Sequence, residues 1–109
     1  MDIIETRNGD TLVLDVAGRL DTDTSGAFEK ELIGRIEGGE TDLVLDFARL
    51  DFVSSAGMRV LLMAAKRIRT ARGRMVLCGL ADEIRNVFQI SGFTAVLTIV
   101  PSRSDALEA

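Results

Sequence analysis

The sequence predicts an α/β domain built on a mixed β-sheet. Two strand-like runs at the N-terminus flank Asn8-Gly9, and Asn-Gly is a strong hairpin signal. Further along, apolar strand-like runs alternate with amphipathic helical segments, which indicates parallel strands joined by right-handed crossovers. A length of 109 residues suits one domain, and because no linker or internal repeat is visible, we assign residues 1–109 to a single domain. The predicted order is β-β-α-β-α-β-α-β, with the helices mainly on one face.

The N-terminal half begins with an antiparallel hairpin over residues 3–17, whose second strand alternates apolar and polar positions. Residues 18–23 are expected to form a loop. A helix follows, because Thr and Ser residues suited to N-capping precede an apolar stripe at helical spacing, and Gly38-Gly39 ends it. The capping candidates are Thr22, Asp23, Thr24 and Ser25, and the stripe is Phe28, Leu32, Ile33 and Ile36.

The middle of the chain pairs a buried strand with a long helix. Residues 42–47 are predicted to form a strand that is apolar through Leu43, Val44 and Leu45, a near-continuous run typical of a strand covered on both faces or held centrally in the sheet. Residues 48–53 are expected to connect this strand to a helix that begins at Ser54-Ser55 and runs to about Arg72, where Gly73 stops it. The apolar positions of that helix keep the i, i+3, i+4, i+7 rule, at Leu61, Ala64, Ala65 and Ile68.

The C-terminal part repeats the alternation in shorter elements. Residues 74–78 are predicted to form an apolar strand, residues 81–91 a short helix, and residues 95–100 the last strand, which Pro101 ends. Residues 102–109 have room for a final helical turn or two.

Composition excludes several functions. The chain has no histidine, tryptophan or tyrosine and only one cysteine, so it lacks the usual zinc ligands, the commonest general base and an internal disulfide. A net charge of −4 without stacking aromatics argues against nucleic-acid binding. The longest apolar run, from Val60 to Ala65, is far shorter than the roughly 20 residues of a membrane span. The N-terminus lacks a signal-peptide pattern, so we expect a cytoplasmic protein that does not insert into membranes.

Two adjacent hydroxyls, on Ser54 and Ser55, form the sharpest local feature. They stand between a connecting segment and a helix, so one interpretation is N-capping. A functional interpretation is compatible with it, because a helix N-terminus tolerates a phosphate, and phosphorylation there would add about −1.5 to −2 charges. A catalytic nucleophile is disfavoured, because no histidine is present and Lys66 would lie about three turns along the helix.

Three weaker candidates remain. Asp21 and Asp23 could cap a helix, contact a partner or, less plausibly for two carboxylates alone, bind a metal. Cys78 lies in an apolar strand and is expected to be a core thiol. Four arginines crowd one helix end and the start of the next strand, which predicts a solvated helix end with phosphate or lipid-headgroup binding as the alternative; they are Arg67, Arg69, Arg72 and Arg74.

Taken together in order and spacing, four segments resemble the STAS-domain anti-sigma-factor antagonists of bacteria. The resemblance covers nearly the whole chain and is carried by residues 18–21, residues 45–61, residues 73–78 and residues 87–93. It implies a compact fold with a mixed sheet, no enzymatic activity and no cofactor. It also implies partner switching, in which the unphosphorylated antagonist binds a GHKL-type anti-sigma factor and serine kinase, and a PP2C-type phosphatase reverses the modification.

The same resemblance assigns roles to particular residues. The phosphorylated serine of the family falls on Ser55, with Ser54 as the second choice. The partner-binding surface that it implies is Asp21, Thr22, Ser54, Ser55, Ala56, Gly57, Met58 and Arg59. Two departures stand out, since many members have Asp at the position of Ser54 and Gly at the position of Arg59. We expect a monomer when free, and the competing hypothesis is an unphosphorylated accessory or scaffold subunit of a stress-sensing or lipid-transport ABC complex.

Overall fold

The computed structural model describes residues 1–92 and 96–108. These residues form six strands and four helices. In chain order they are β1 (Asp2–Asn8), β2 (Thr11–Leu20), α1 (Ser25–Glu37), β3 (Asp42–Asp46), β4 (Leu50–Val53), α2 (Ser55–Thr70), β5 (Arg74–Cys78), α3 (Asp82–Ile90), β6 (Thr98–Val100) and α4 (Arg103–Glu108).

The strands form a mixed sheet, as the alternation of elements predicted. Their order across the sheet is β1-β2-β3-β5-β6. β1 and β2 are antiparallel, with Asn8 opposite Thr11 at the turn, and every other pairing is parallel. Gly9 occupies the turn with a φ of 61°, a conformation that glycine adopts without steric cost. The predicted hairpin and fold class are therefore confirmed.

One expected connection is instead a strand. Residues 48–53 were predicted to be a connecting segment, but Leu50–Val53 forms β4, which pairs in parallel with the end of β2. β2 also continues to Leu20, into the loop expected at residues 18–23. The register shifts between Gly18 and Arg19, so β2 bends away from β3 and its last residues pair with β4. This pairing brings the residue before Ser54 next to the residue before Asp21.

The last strand is shorter than predicted. β6 comprises only Thr98–Val100, whereas the prediction was residues 95–100; Ala95 lies outside the described residues. Leu97 is buried by side-chain packing without belonging to the strand, which explains why an apolar run overstated the length. The final helical turns expected after Pro101 are confirmed as α4.

The main core lies between the sheet and helices α1, α2 and α3. Alternate residues of β2, such as Leu12 and Leu14, point into it, together with Leu43 and Leu45 of β3. The helices contribute fully buried side chains, which include Phe28, Leu32, Leu61, Ala64 and Phe88. The first four of these lie at the helical spacings that the sequence predicted. The arrangement places three of the four helices on one face.

The opposite face of the sheet is covered by α4. Val13, Val44 and Val76 pack there with Cys78 and Ala106 in a second, smaller apolar cluster. Charged groups fasten the helix at both ends, because Arg103 donates to Asp46 at 2.8 Å and Arg74 donates to the Ala106 carbonyl at 2.7 Å. In the described part of the chain, no helix is long and apolar enough to cross a bilayer.

Candidate functional site

The two adjacent serines differ in what their hydroxyls do. Ser54 is the N-cap of α2, and its Oγ accepts a hydrogen bond from the Gly57 amide at 3.2 Å. Ser55 is the first residue of the helix, and its side chain is exposed. Within residues 1–92 and 96–108, the Ser55 hydroxyl has no hydrogen-bond partner. The Ser54 hydroxyl therefore caps the helix, while the Ser55 hydroxyl is exposed to solvent.

The start of α2 is fixed against the end of β2. The Ser54 amide donates to the Leu20 carbonyl at 2.8 Å. The backbone of Gly57 approaches Leu20 so closely that a Cβ at this position would lie 2.6 Å from Leu20 Cγ and 3.1 Å from its carbonyl oxygen. Because real Cβ atoms do not approach other atoms this closely, the contact requires glycine. Ser55 is thus presented on a rigid support rather than on a loose loop.

Asp21 organises the turn that leads into α1, beside Ser54. Its Oδ1 accepts from the amides of Asp23 and Thr24, while Thr24 Oγ1 accepts from the Asp21 amide. Partial desolvation would raise the pKa of the Asp21 carboxyl, but the hydrogen bonds from Thr24 and Asp23 outweigh it, so the pKa lies below its ordinary value. Asp21 is therefore a fixed negative charge close to the start of α2. The predicted side-chain capping of α1 by Thr22, Asp23, Thr24 or Ser25 was wrong: the N-cap residue is Thr24, and its hydroxyl makes no capping hydrogen bond because it bonds to Arg19 and Asp21 in the preceding turn.

An exposed ring and a guanidinium stack beside this turn. The Arg19 guanidinium carbon lies 4.3 Å from the centroid of the Phe52 ring, and Arg19 Nε lies 3.6 Å from an Asp21 carboxylate oxygen. Arg19 and Phe52 are cross-strand partners in β2 and β4. They were not among the predicted site residues, since their contact depends on β4, which the sequence did not reveal. The available signal in the sequence was a phenylalanine, Phe52, in the segment that leads into the two serines.

The remaining predicted partner-contact residues divide into two groups. Thr22 and Arg59 are exposed, and Ala56 is partly exposed. Gly57 and Met58 are buried, with Met58 only 5% exposed, so these two residues shape the surface from beneath. Of the exposed members, Arg59 lies on the same helix as Ser55, and Thr22 lies in the turn that follows β2.

The weaker candidates lie elsewhere. Cys78 is fully buried, and burial followed by the charge of Asp46 raises the pKa of its thiol to about 11, which disfavours the reactive thiolate. Arg67 and Arg74 are engaged by Glu37 and Asp42, while Arg69 and Arg72 are exposed. Among the described residues, no three acidic or cysteine side chains are grouped as metal ligands.

A family model described as the STAS domain matches residues 3–106. The chain therefore belongs to the STAS domain family. BtrV of Bordetella bronchiseptica, which is described as an anti-sigma factor antagonist, is 40% identical over 98 residues, covering 90% of this chain and 84% of BtrV.

Solved structures show the same fold. An anti-sigma factor antagonist of Thermotoga maritima superimposes with a TM-score of 0.93 at 17% identity, over 97% of this chain and 92% of that one. The phosphorylated form of the Bacillus cell fate determinant SpoIIAA superimposes with a TM-score of 0.75 at 23% identity, over 98% and 97% of the two chains.

Proposed function

We propose that this protein is an anti-sigma-factor antagonist that is switched by phosphorylation of Ser55. In its unphosphorylated form it binds a GHKL-type anti-sigma factor that is also a serine kinase, and so releases the sigma factor. A PP2C-type phosphatase restores the binding form. The protein acts in the cytoplasm as a monomer when free, by binding rather than by catalysis.

The observation that carries this proposal is the difference between the two serine hydroxyls. A kinase must reach the oxygen that it modifies, and Ser55 is exposed whereas the Ser54 hydroxyl caps α2 at 3.2 Å from the Gly57 amide. Its relative BtrV, at 40% identity, is described as an anti-sigma factor antagonist, and the structure shares the fold of SpoIIAA in its phosphorylated form.

The chemistry of the switch is a simple phosphoryl transfer. Ser55 Oγ attacks the γ-phosphorus of ATP bound to the kinase, the bond to the β–γ bridging oxygen breaks, ADP leaves and the hydroxyl proton is released. The product carries about −1.5 to −2 charges at the first turn of α2, where the helix dipole favours anions. The fold therefore persists, while a partner seated on this surface meets a new, bulky charge.

The first experiment tests the assignment of the site. The host's candidate anti-sigma kinase is incubated with ATP and the parent, Ser55→Ala or Ser54→Ala protein, and phosphosites are mapped by mass spectrometry. We expect phosphate on the parent and on Ser54→Ala, and none on Ser55→Ala. Phosphate on Ser54 as the main product would contradict the assignment, and no phosphate on any protein would favour the accessory-subunit hypothesis.

The second experiment tests the switch itself. Ser55→Asp should weaken binding to the unmodified anti-sigma factor by about 100-fold or more, as expected for a charge in a desolvated contact. Ser55→Ala should bind like the parent. Binding is measured by calorimetry, and circular dichroism checks that both variants remain folded. Equal affinity of Ser55→Asp and the parent would show that this end of the sheet is not the docking surface.

A further inference from the structure

Arg59 lies one turn beyond Ser55 on the same helix. Both side chains are exposed, and the two residues lie four positions apart within the 16-residue helix α2. Residues at i and i+4 are neighbours on a helix surface, with Cβ atoms about 5–6 Å apart. An acidic group placed N-terminal to the basic one at this spacing is the more favourable orientation, because both charges then agree with the helix dipole.

Arg59 is also a cationic side chain that is available for a new ion pair. In the described part of the chain it makes no ion pair or side-chain hydrogen bond. Arg19, the other arginine nearby, is stacked on Phe52 and lies 3.6 Å from the Asp21 carboxylate. The first turn of α2 contains no acidic residue that could compete for Arg59.

We propose that Arg59 is the intramolecular partner of the phosphate on Ser55, so that phosphorylation withdraws Arg59 from the docking surface as it adds negative charge. Before modification, the exposed guanidinium is available to a carboxylate of the anti-sigma factor. After modification, the same guanidinium turns back along the helix to the phosphate oxygens. This inference rests on the proposed phosphorylation of Ser55 and adds a second element to the switch.

The chemistry of arginine fits this exchange. A guanidinium presents parallel N–H donors that match both carboxylate and phosphate oxygens, and charge-assisted pairs of this kind are stronger than neutral hydrogen bonds. Phosphate carries more charge than a carboxylate and is covalently held one turn away. The intramolecular pair therefore competes with any partner that uses Arg59. A lysine would supply charge but not the forked geometry.

The test uses protein carrying phosphoserine at position 55 by genetic encoding, so that no kinase is needed. The second pKa of the phosphate, ordinarily about 6, is measured by phosphorus NMR in the parent background, in Arg59→Gln and in Arg59→Lys. A nearby cation favours the dianion and lowers this pKa. We expect Arg59→Gln to raise the phosphate pKa by about 0.5 unit or more, with Arg59→Lys in between. Arg19→Gln is the matched control, and we expect it to raise the phosphate pKa by less than a third as much as Arg59→Gln does.

The acidic groups on neighbouring segments, which include Asp21, Asp23 and Asp51, are unchanged in the parent and in both Arg59 variants, so their effect is common to that comparison. An Arg59→Gln phosphate pKa equal to that of the parent would overturn the proposal, as would an equal effect of Arg19→Gln.

Binding separates this inference from the proposed function. In the unphosphorylated state, Arg59→Gln should weaken binding to the anti-sigma factor by about 10-fold, as for loss of one charged contact. If Arg59→Gln raises the phosphate pKa as expected but the kinase does not phosphorylate Ser55, only the proposed function is contradicted. Loss of binding on phosphorylation with an unchanged phosphate pKa in Arg59→Gln would contradict only the role of Arg59.

Discussion

Two charged regions of the structure, the start of α2 and the contact between α4 and the sheet, are built in opposite ways. At the start of α2, backbone contacts fix the position of Ser55 while its side chain, with those of Thr22 and Arg59, stays exposed. Under α4, charged side chains themselves hold the helix against the sheet, since Arg103 donates a hydrogen bond to Asp46, which is only 8% exposed. At the start of α2 the polar side chains remain available to a partner, whereas at α4 they hold a helix over an apolar face of the sheet. The contrast indicates which side chains can be substituted without loss of folding stability.

The largest expected effect comes from the backbone contact that supports Ser55. Gly57→Val places side-chain carbons against Leu20 and should lower the free energy of unfolding by about 2–3 kcal/mol, as overpacking does. Gly34→Ala, in α1, is the matched control, because no atom lies within 4 Å of its added Cβ. It should stabilise the protein by about 0.5–1 kcal/mol through helix propensity.

Chemical denaturation of both glycine variants measures these changes. If Gly57→Val is as stable as the parent, the start of α2 is less rigidly supported than the close contact with Leu20 implies.

A smaller effect is expected where α4 is fastened. Asp46→Ala removes the acceptor of Arg103 and of the Ala48 amide, and should cost about 2 kcal/mol, as for a lost charged hydrogen bond in a largely buried place. Asp82→Ala breaks the exposed pair with Arg85 and should cost below about 0.5 kcal/mol. Thermal unfolding compares the two. Equal losses would mean that the Asp46 pair contributes no more than a surface ion pair.

The last expected effect is a pH dependence beneath α4, which is absent at neutral pH and appears only under alkaline conditions. Because burial raises the pKa of the Cys78 thiol from 9.0 to about 11, the unfolded chain ionises at a lower pH than the folded protein. The stability contributed by the neutral thiol is fully present below pH 9 and is lost as pH rises towards 11. Urea unfolding from pH 8 to 11 should show this loss in the parent and a shallower slope in Cys78→Ala. Parallel slopes would assign the loss to other groups.

Much of the fold could be predicted from the sequence, because local patterns specify it. Asn8-Gly9 predicted the hairpin and the apolar spacings predicted the helices. Gly73 predicted that the longest helix ends near Arg72, slightly beyond the observed end at Thr70. Capping of α2 by one of the two adjacent serines was also predicted, and the structure assigns it to Ser54, whose Oγ accepts from the Gly57 amide. Strand β4 was missed because four residues without clear alternation carry little local signal.

Less of the candidate site could be predicted. The motif placed Ser54, Ser55 and Asp21 in one region, but it gave no physical means to separate the two serines or to recognise that Met58 is buried. The stacking of Arg19 on Phe52 also required the pairing of β2 with β4.

The sequence by itself determined the hairpin, the alternation of strands and helices apart from β4, and the existence of a hydroxyl-bearing helix start. These features follow from residues that are adjacent or one turn apart in the chain. Only the tertiary structure decided that the Ser54 hydroxyl is committed and the Ser55 hydroxyl exposed, and that Arg103 reaches Asp46 across 57 positions of the chain. The physical reason is that accessibility and long-range pairing depend on which segments pack together, and that is a property of the whole fold.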